Sequence, residues 1–191
     1  MLLAAAEQVF AQRGYGRASI RDIAAAAGFS VGGVYQFFTS KDELFLAVTE
    51  SLQKDYVEAT AGVAALDGFE TQLLELTRAS LAFFGPRHAF LVTLITERGS
   101  FSGTFRDRVA KAVDGLKRAR REQVIEVLHA GEVEGRLRVT DLDALASAYL
   151  GVINQCHLDV HHGFAPVVPA AGLLVSLFLH GAAHTHARGR A

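Results

Sequence analysis

The chain has 191 residues, half of them hydrophobic and one fifth charged, with a formal net charge of −1. That balance excludes an intrinsically disordered chain and supports one large or two small apolar cores. A single cysteine, Cys156, excludes a disulfide framework and a thiolate zinc cage, and it points to a reducing cytoplasm as the expected location.

The first elements come close together. Ala6, Val9 and Phe10 recur at helical spacing, then Ile20, Ile23, Ala24 and Ala27, then Val34 and Phe38, which predicts three short helices around one small core. Ser19 and Ser30 stand where N-caps are needed, and Asp22, three residues after Ser19, can return a bond to its amide. Gly28 supplies a left-handed stop between the second and third segments. Two short helices joined by so tight a turn are the arrangement that places the second helix in a DNA major groove.

The residues that fill this pattern are Phe10-Ala-x-Arg-Gly-Tyr15, Ser19-Ile-Arg-Asp-Ile-Ala24, Ala27-Gly-Phe-Ser30, Gly32-x-Val-Tyr35-x-Phe-Phe38 and Ser40-Lys-Asp-Glu-Leu44. This string closely resembles the DNA-binding domain of the TetR family of one-component transcriptional regulators, over about 45 of the 191 residues. The resemblance implies that Tyr35 and Lys41 grip phosphates on either side of the groove and that Ser19 offers a further phosphate its hydroxyl and amide. Base reading falls to Val31, Gly33 and Gln36, with Gln36 able to pair bidentately with adenine and Val31 able to meet a thymine methyl. Arg17, Arg21 and the cap Ser30 complete the expected DNA-binding set.

Val31 and Gly33 stand where many relatives have polar side chains, so the expected base readout is modest and DNA shape supplies the rest. Gly32 and Gly33 weaken the helix by roughly 1 kcal/mol each relative to alanine. Through Glu50, the basic residues Arg13, Arg17, Arg21 and Lys41 face Glu7, Asp22, Asp42, Glu43 and Glu50, a net of −1. Relatives carry a short, often basic arm before this point, so an upstream arm is expected.

The remaining chain reads as further helices and no strand. Asp42 to Tyr56 is a long helix with the stripe Leu44, Phe45, Val48, Leu52 and Tyr56, the expected mechanical link out of the first domain. The frayed end of that helix or a loop is expected over 62–68, then a helix from Phe69 to Phe84 closed by Gly85-Pro86, and a short helix from His88 to Glu97. A long charged helix follows from Thr104 to Ala130, then Asp141 to His162 and Pro166 to His186. The fold class is all-α, with a DNA-binding domain over 1–45 and a helical effector-binding and dimerisation domain over 46–191.

The last two helices carry the stripes Leu142, Leu145, Ala146, Tyr149, Ile153 and Leu173, Leu174, Leu177, Phe178, more apolar surface than a monomer needs. Corresponding helices pair two protomers in the family resembled, and twofold pairing would present two reading helices to a palindromic operator. Aromatic residues of the middle helices, Phe84, Phe101, Phe105 and Tyr149, with His88, Asn154 and His157 as polar anchors, form the expected ligand-binding set, alongside Phe83, Phe90, Thr93, Gln155 and Phe164. His157 and His161 have zinc-ligand spacing, but a solvated helix end is the favoured reading, and neither a metal nor a cofactor is expected.

The basic run Lys117-Arg118-Ala119-Arg120-Arg121 reads as a solvated face balanced by Glu122 and Glu126. No nucleophile elbow, phosphate-binding glycine loop or dinucleotide fingerprint occurs, so no enzyme is expected. The uncharged stretch from Val160 to Ala187 is broken by prolines, a glycine and histidines, and no membrane partner is expected. Together these readings point to a homodimeric, ligand-responsive transcriptional regulator, a repressor released from double-stranded DNA by a small, mostly apolar effector. The alternative is a small-molecule carrier or sensor on the same scaffold without specific operator binding.

Overall fold

The structure is a computed structural model that describes residues 1–137, 141–162 and 169–180, without the side chains of Arg98 and His161. Among the described residues the fold is all-α, with eight α-helices and no strand. They are α1 (Leu2–Arg17), α2 (Ile20–Ala27), α3 (Val31–Tyr35), α4 (Lys41–Thr60), α5 (Phe69–Thr96), α6 (Gly103–Val133), α7 (Leu142–His161) and α8 (Ala171–His180). Phe164, His184 and His186 lie outside the described residues.

Capping sets the helix starts. The Ser19 hydroxyl accepts the Asp22 amide at 3.2 Å while the Asp22 carboxylate accepts the Ser19 amide at 3.2 Å, a complete capping box. Gly28, at φ 70° and ψ 25°, makes the left-handed stop that ends α2. Ser30 caps α3 by accepting the Gly33 amide at 2.9 Å, and Ser40 caps α4 by accepting the Glu43 amide at 3.1 Å. Helix α3 is shorter than the periodicity suggests, ending at Tyr35, with Gln36 as its C-cap and the turn bonds of Phe37 and Phe38 returning to the Val34 carbonyl.

The expected break at Gly85-Pro86 does not occur, and α5 runs unbroken through Pro86. Burial explains why. Phe84 before the proline and Phe90 after it both sink into the same core, and breaking the helix would expose one of them, at a cost of about 1.5–3 kcal/mol per side chain. Arg87 secures the join by donating to the Phe83 carbonyl at 3.0 Å while its guanidinium lies 4.2 Å from the centre of the Phe83 ring. By length and composition alone α5 could cross a membrane. Its buried stripe, from Phe69 through Leu76 and Phe83 to Leu94, is instead satisfied inside the protein.

Two apolar clusters organise the packing. The first joins α1, α2 and α3 through Val9, Phe10, Ile23 and Val34 to Leu44, Phe45 and Tyr56 of α4, and continues to Phe84 and Phe90 of α5 and Phe101 and Val109 beside and on α6. The second gathers Leu73 and Leu76 of α5, Val124 and Leu128 of α6, Tyr149 and Ile153 of α7 and Val175 of α8. Much of the apolar surface on the last two helices is therefore used internally: Ala146, Tyr149, Ile153 and Leu174 are buried, and Phe178 meets Tyr149 at 5.3 Å. Val152, Leu173 and Leu177 remain exposed.

Candidate DNA-binding and ligand sites

Val34 is fully buried and fixes α3 against the first core. The same anchoring leaves Val31, Tyr35, Gln36 and the following Phe37 exposed to solvent. Gly33 is half-buried, and a Cβ there would meet the capping Ser30 hydroxyl at 3.2 Å, so this glycine protects its own cap. An exposed row of Val31, Tyr35 and Gln36 offers one apolar contact, one phenolic hydroxyl and one amide to a groove.

The acidic residues of this region serve internal bonds. Asp22 is held by Ser19 and lies 2.8 Å from Arg13, and these contacts keep its carboxyl below the usual range, with the Ser19 bond the main cause. Glu43 accepts the Thr39 hydroxyl at 2.7 Å and amide at 2.6 Å, which likewise lowers it. Asp42 accepts the Tyr15 phenol. Burial and that bond push the phenol well above its ordinary value. Arg17, Ser19, Arg21 and Ser30 are exposed, with the Arg17 Nε donating to the Arg13 carbonyl at 3.1 Å and both serine hydroxyls engaged as caps.

Lys41 makes contacts that the sequence did not reveal. Its ammonium donates to the carbonyls of Tyr15 at 2.8 Å and Ala18 at 3.1 Å and lies 4.4 Å from the centre of the Tyr15 ring. It thereby closes the end of α1 and orients the turn into α2. Nearby, the Gly16 amide donates to the Glu97 carboxylate at 3.0 Å, and Gly14 holds φ 74° beside that same carboxylate.

Of the seven residues expected to line a ligand site, five converge. Asn154 accepts a bond from the Arg120 Nη1 at 3.0 Å, and the Phe84 ring centre lies 4.2 Å from the same guanidinium. Tyr149 and His157 both feel its charge, and the His88 and His157 rings stack at 6.0 Å. Phe101 and Phe105 join a different group, packing on Tyr15 at 5.1 and 5.6 Å beside Phe45, where they tie the end of α1 and the start of α4 to α6.

Arg120 itself corrects the reading of Lys117 to Arg121 as one solvated face. It points inward, whereas Arg121 reaches α7, bonding Asp143 at 2.7 Å and Ser147 at 2.8 Å. The signal for Arg120 was in its register: it lies four residues after buried Leu116 and four before buried Val124, on the apolar stripe of α6. His157 is buried, and its imidazole is held below its ordinary value by burial, then by His88 and Arg120. Burial also pushes the Cys156 thiol up, which leaves it a poor nucleophile. No cluster of three metal-ligating side chains occurs among the described residues, and the suggested partner of His157, the His161 side chain, is outside them.

Residues 2–48 match the family model for bacterial regulatory proteins of the tetR family. Over 84 residues the chain is 42% identical to the HTH-type transcriptional activator FasR of Mycolicibacterium smegmatis, an alignment that covers 44% of this chain and 37% of that relative's length. The TetR family regulator PfmR of Thermus thermophilus has a similar fold, with a TM-score of 0.73 at 24% identity over 96% of this chain and 99% of the other. The transcriptional regulator FadR of Bacillus subtilis, solved in complex with stearoyl-CoA, superposes with a TM-score of 0.75 at 16% identity, over 95% of this chain and 98% of the other.

Proposed function

The chain belongs to the TetR family of bacterial transcriptional regulators, and from that premise we propose that it is a ligand-responsive repressor in the cytoplasm, binding a palindromic operator as a homodimer. The observation that carries this reading is the capped helix α3, anchored by Val34 and presenting Val31, Tyr35 and Gln36, joined through Lys41, Tyr15 and Phe45 to the packing of α5 and α6. Residues 1–45 act as the DNA-binding part and 46–191 as the effector and dimerisation part. In this reading Tyr35, Lys41, Ser19, Arg17 and Arg21 position the phosphates, while Val31, Gly33 and Gln36 face the bases.

Two reading helices must lie about 34–36 Å apart to enter successive major grooves. An effector that wedges among α5, α6 and α7 moves α4, and α4 carries both the Lys41 clamp and the aromatic contacts that set the position of α2 and α3. Such a ligand weakens operator binding only to the extent that it prefers the separated state. A bound acyl thioester in the similar Bacillus subtilis regulator supports an apolar effector here. The second reading, a carrier or sensor without an operator, draws support from the Lys41 ammonium already being occupied and from the net negative charge of the first fifty residues.

Fluorescence anisotropy with DNA from around the coding region, at two salt concentrations, separates the two. A regulator binds selectively at two protomers per site, and Tyr35→Phe weakens it roughly tenfold on every sequence, the loss of one hydrogen bond to a charged group. Lys41→Ala is expected to weaken binding further, because it removes a phosphate contact and unlatches the end of α1. Weak, sequence-blind binding unaffected by Tyr35→Phe puts the carrier reading ahead. Transcription from the bound promoter, with and without the protein, then settles repression against activation.

A further inference from the structure

The guanidinium of Arg120 has one edge unused. Nη1 bonds Asn154, whereas Nε and Nη2, the two nitrogens of the side-on edge, are shut off from solvent with no hydrogen-bond partner. No carboxylate answers it, since every ion pair among the described residues is made by another cation. The groups that bear on it are phenols: the Tyr56 hydroxyl lies against the guanidinium as a neutral acceptor while also bonding Ser80 at 3.1 Å, and Tyr149 bonds Thr77 at 2.7 Å, so neither cancels the charge. Phe84 covers one face of the plane. Burial has driven the pKa of Arg120 below that of an ordinary arginine.

A cation largely withdrawn from water without a counter-ion is destabilising, and two unmet donors on it add to the cost. Packing alone is an insufficient reason for the residue, because methionine or leucine would continue the Leu116–Val124 stripe without that cost. The edge left open is the one that takes an oxyanion through two parallel N–H···O bonds. A neutral carbonyl could satisfy one donor and would leave the charge. An oxyanion satisfies both and cancels it.

We propose that Arg120 is an anion-binding residue inside the helical domain, and that the effector is an apolar molecule headed by a carboxylate or phosphate that docks on the Nε–Nη2 edge. This rests on the ligand-responsive reading above and narrows its effector class. The five convergent residues take defined roles: Asn154 fixes the plane of the guanidinium, Phe84 and Tyr149 wall the tail, and His157 and His88 flank the head group. Nε and Nη2 are shut off from solvent although the Nη1 bond to Asn154 lies at the surface, so an anion reaches that edge as the side chains around it on α5, α6 and α7 part. Relief of the uncompensated charge then favours the parted arrangement, which couples binding to the motion of α4.

Titration calorimetry of the full chain with decanoate, methyl decanoate, decyl phosphate and decanoyl-coenzyme A tests this on the natural protein and on Arg120→Met. An oxyanion is expected to bind at least about tenfold more tightly than the ester of the same chain, and Arg120→Met is expected to erase that preference. Decanoate and decyl phosphate distinguish the two head groups. Thermal melting without ligand supplies a second readout, in which Arg120→Met melts no lower than the natural protein. Equal binding of ester and oxyanion, or a preference that survives Arg120→Met, overturns the proposal while leaving an apolar effector in place. Binding of decanoyl-coenzyme A alone, indifferent to Arg120→Met, overturns it equally. Silence from all four probes overturns both the proposal and the effector reading on which it rests.

Discussion

His157 shows how a single side chain can set the acid sensitivity of the fold. It is buried, near His88 on α5 and Arg120 on α6, and all three influences favour its neutral form. Its folded-state pKa therefore lies below the ordinary 6.5, and the unfolded chain takes up a proton first as pH falls. The stability this residue contributes is complete above pH 6.5 and is lost progressively below it. Asp22 and Glu43 have lowered values and lose their contribution only at more acidic pH, while Glu7, raised by burial, changes in the opposite sense. The melting temperature is therefore expected to be level just above neutrality and to fall on acidification from pH 6.5 toward about 5. His157→Gln should flatten that slope, and an unchanged slope would mean that another group carries it. His157 was legible from the sequence as a polar residue on an apolar helix. Arg120, which gives it this environment, was hidden in a run of charges whose inward member only the helical register identifies.

At the scale of elements, the end of α1 is fastened at two points that lie far apart in the chain. Lys41 draws in the carbonyls of Tyr15 and Ala18, and Glu97, just past α5, accepts the Gly16 amide. Gly14 permits the approach, since it holds φ 74° and a Cβ there would displace the Glu97 carboxylate. Gly14→Ala thus meets two penalties, the left-handed backbone and the carboxylate, and is expected to cost roughly 1–3 kcal/mol in urea unfolding. Glu97→Ala removes one exposed hydrogen bond and should cost less, about 1 kcal/mol. Combined, the two should cost less than their sum, because the clash disappears and only the backbone strain remains. Strict additivity would show that Glu97 simply swings aside. The sequence marked Gly28 as a stop because it follows an uninterrupted apolar helix. Gly14 carried no such signal, because its partner is Glu97, and contacts at that separation leave no periodicity to read. Pro86 misled for a related reason: a local helix breaker was overruled by the burial of Phe84 and Phe90 on either side of it.

For the whole molecule, the decisive quantity is how much apolar surface a single chain leaves uncovered. Helices α7 and α8 bury Ala146, Tyr149, Ile153, Leu174 and Val175 internally, so the stripes that suggested a partner are mostly consumed. What remains is Val152, 49% exposed, with Leu173 at 53% and Leu177 at 42%. Three such side chains are too few for a stable interface, which buries about 1,200–2,000 Å² in total, so the proposed twofold contact would also have to enlist the half-buried residues around them. Leu173→Glu combined with Leu177→Glu places charge at the centre of that patch without disturbing a buried side chain. The double variant is expected to sediment as a folded monomer with an unchanged helical signal. Its operator affinity should fall by about two orders of magnitude or more, because each half-site then binds alone and the effective concentration supplied by the partner is lost. A variant that remains dimeric would move the interface off α7 and α8. One that becomes monomeric yet binds the operator as before would show that a single reading helix suffices, which the few polar groups on α3 make physically implausible: one glutamine, one tyrosine and a valine cannot by themselves supply the free energy of a selective site.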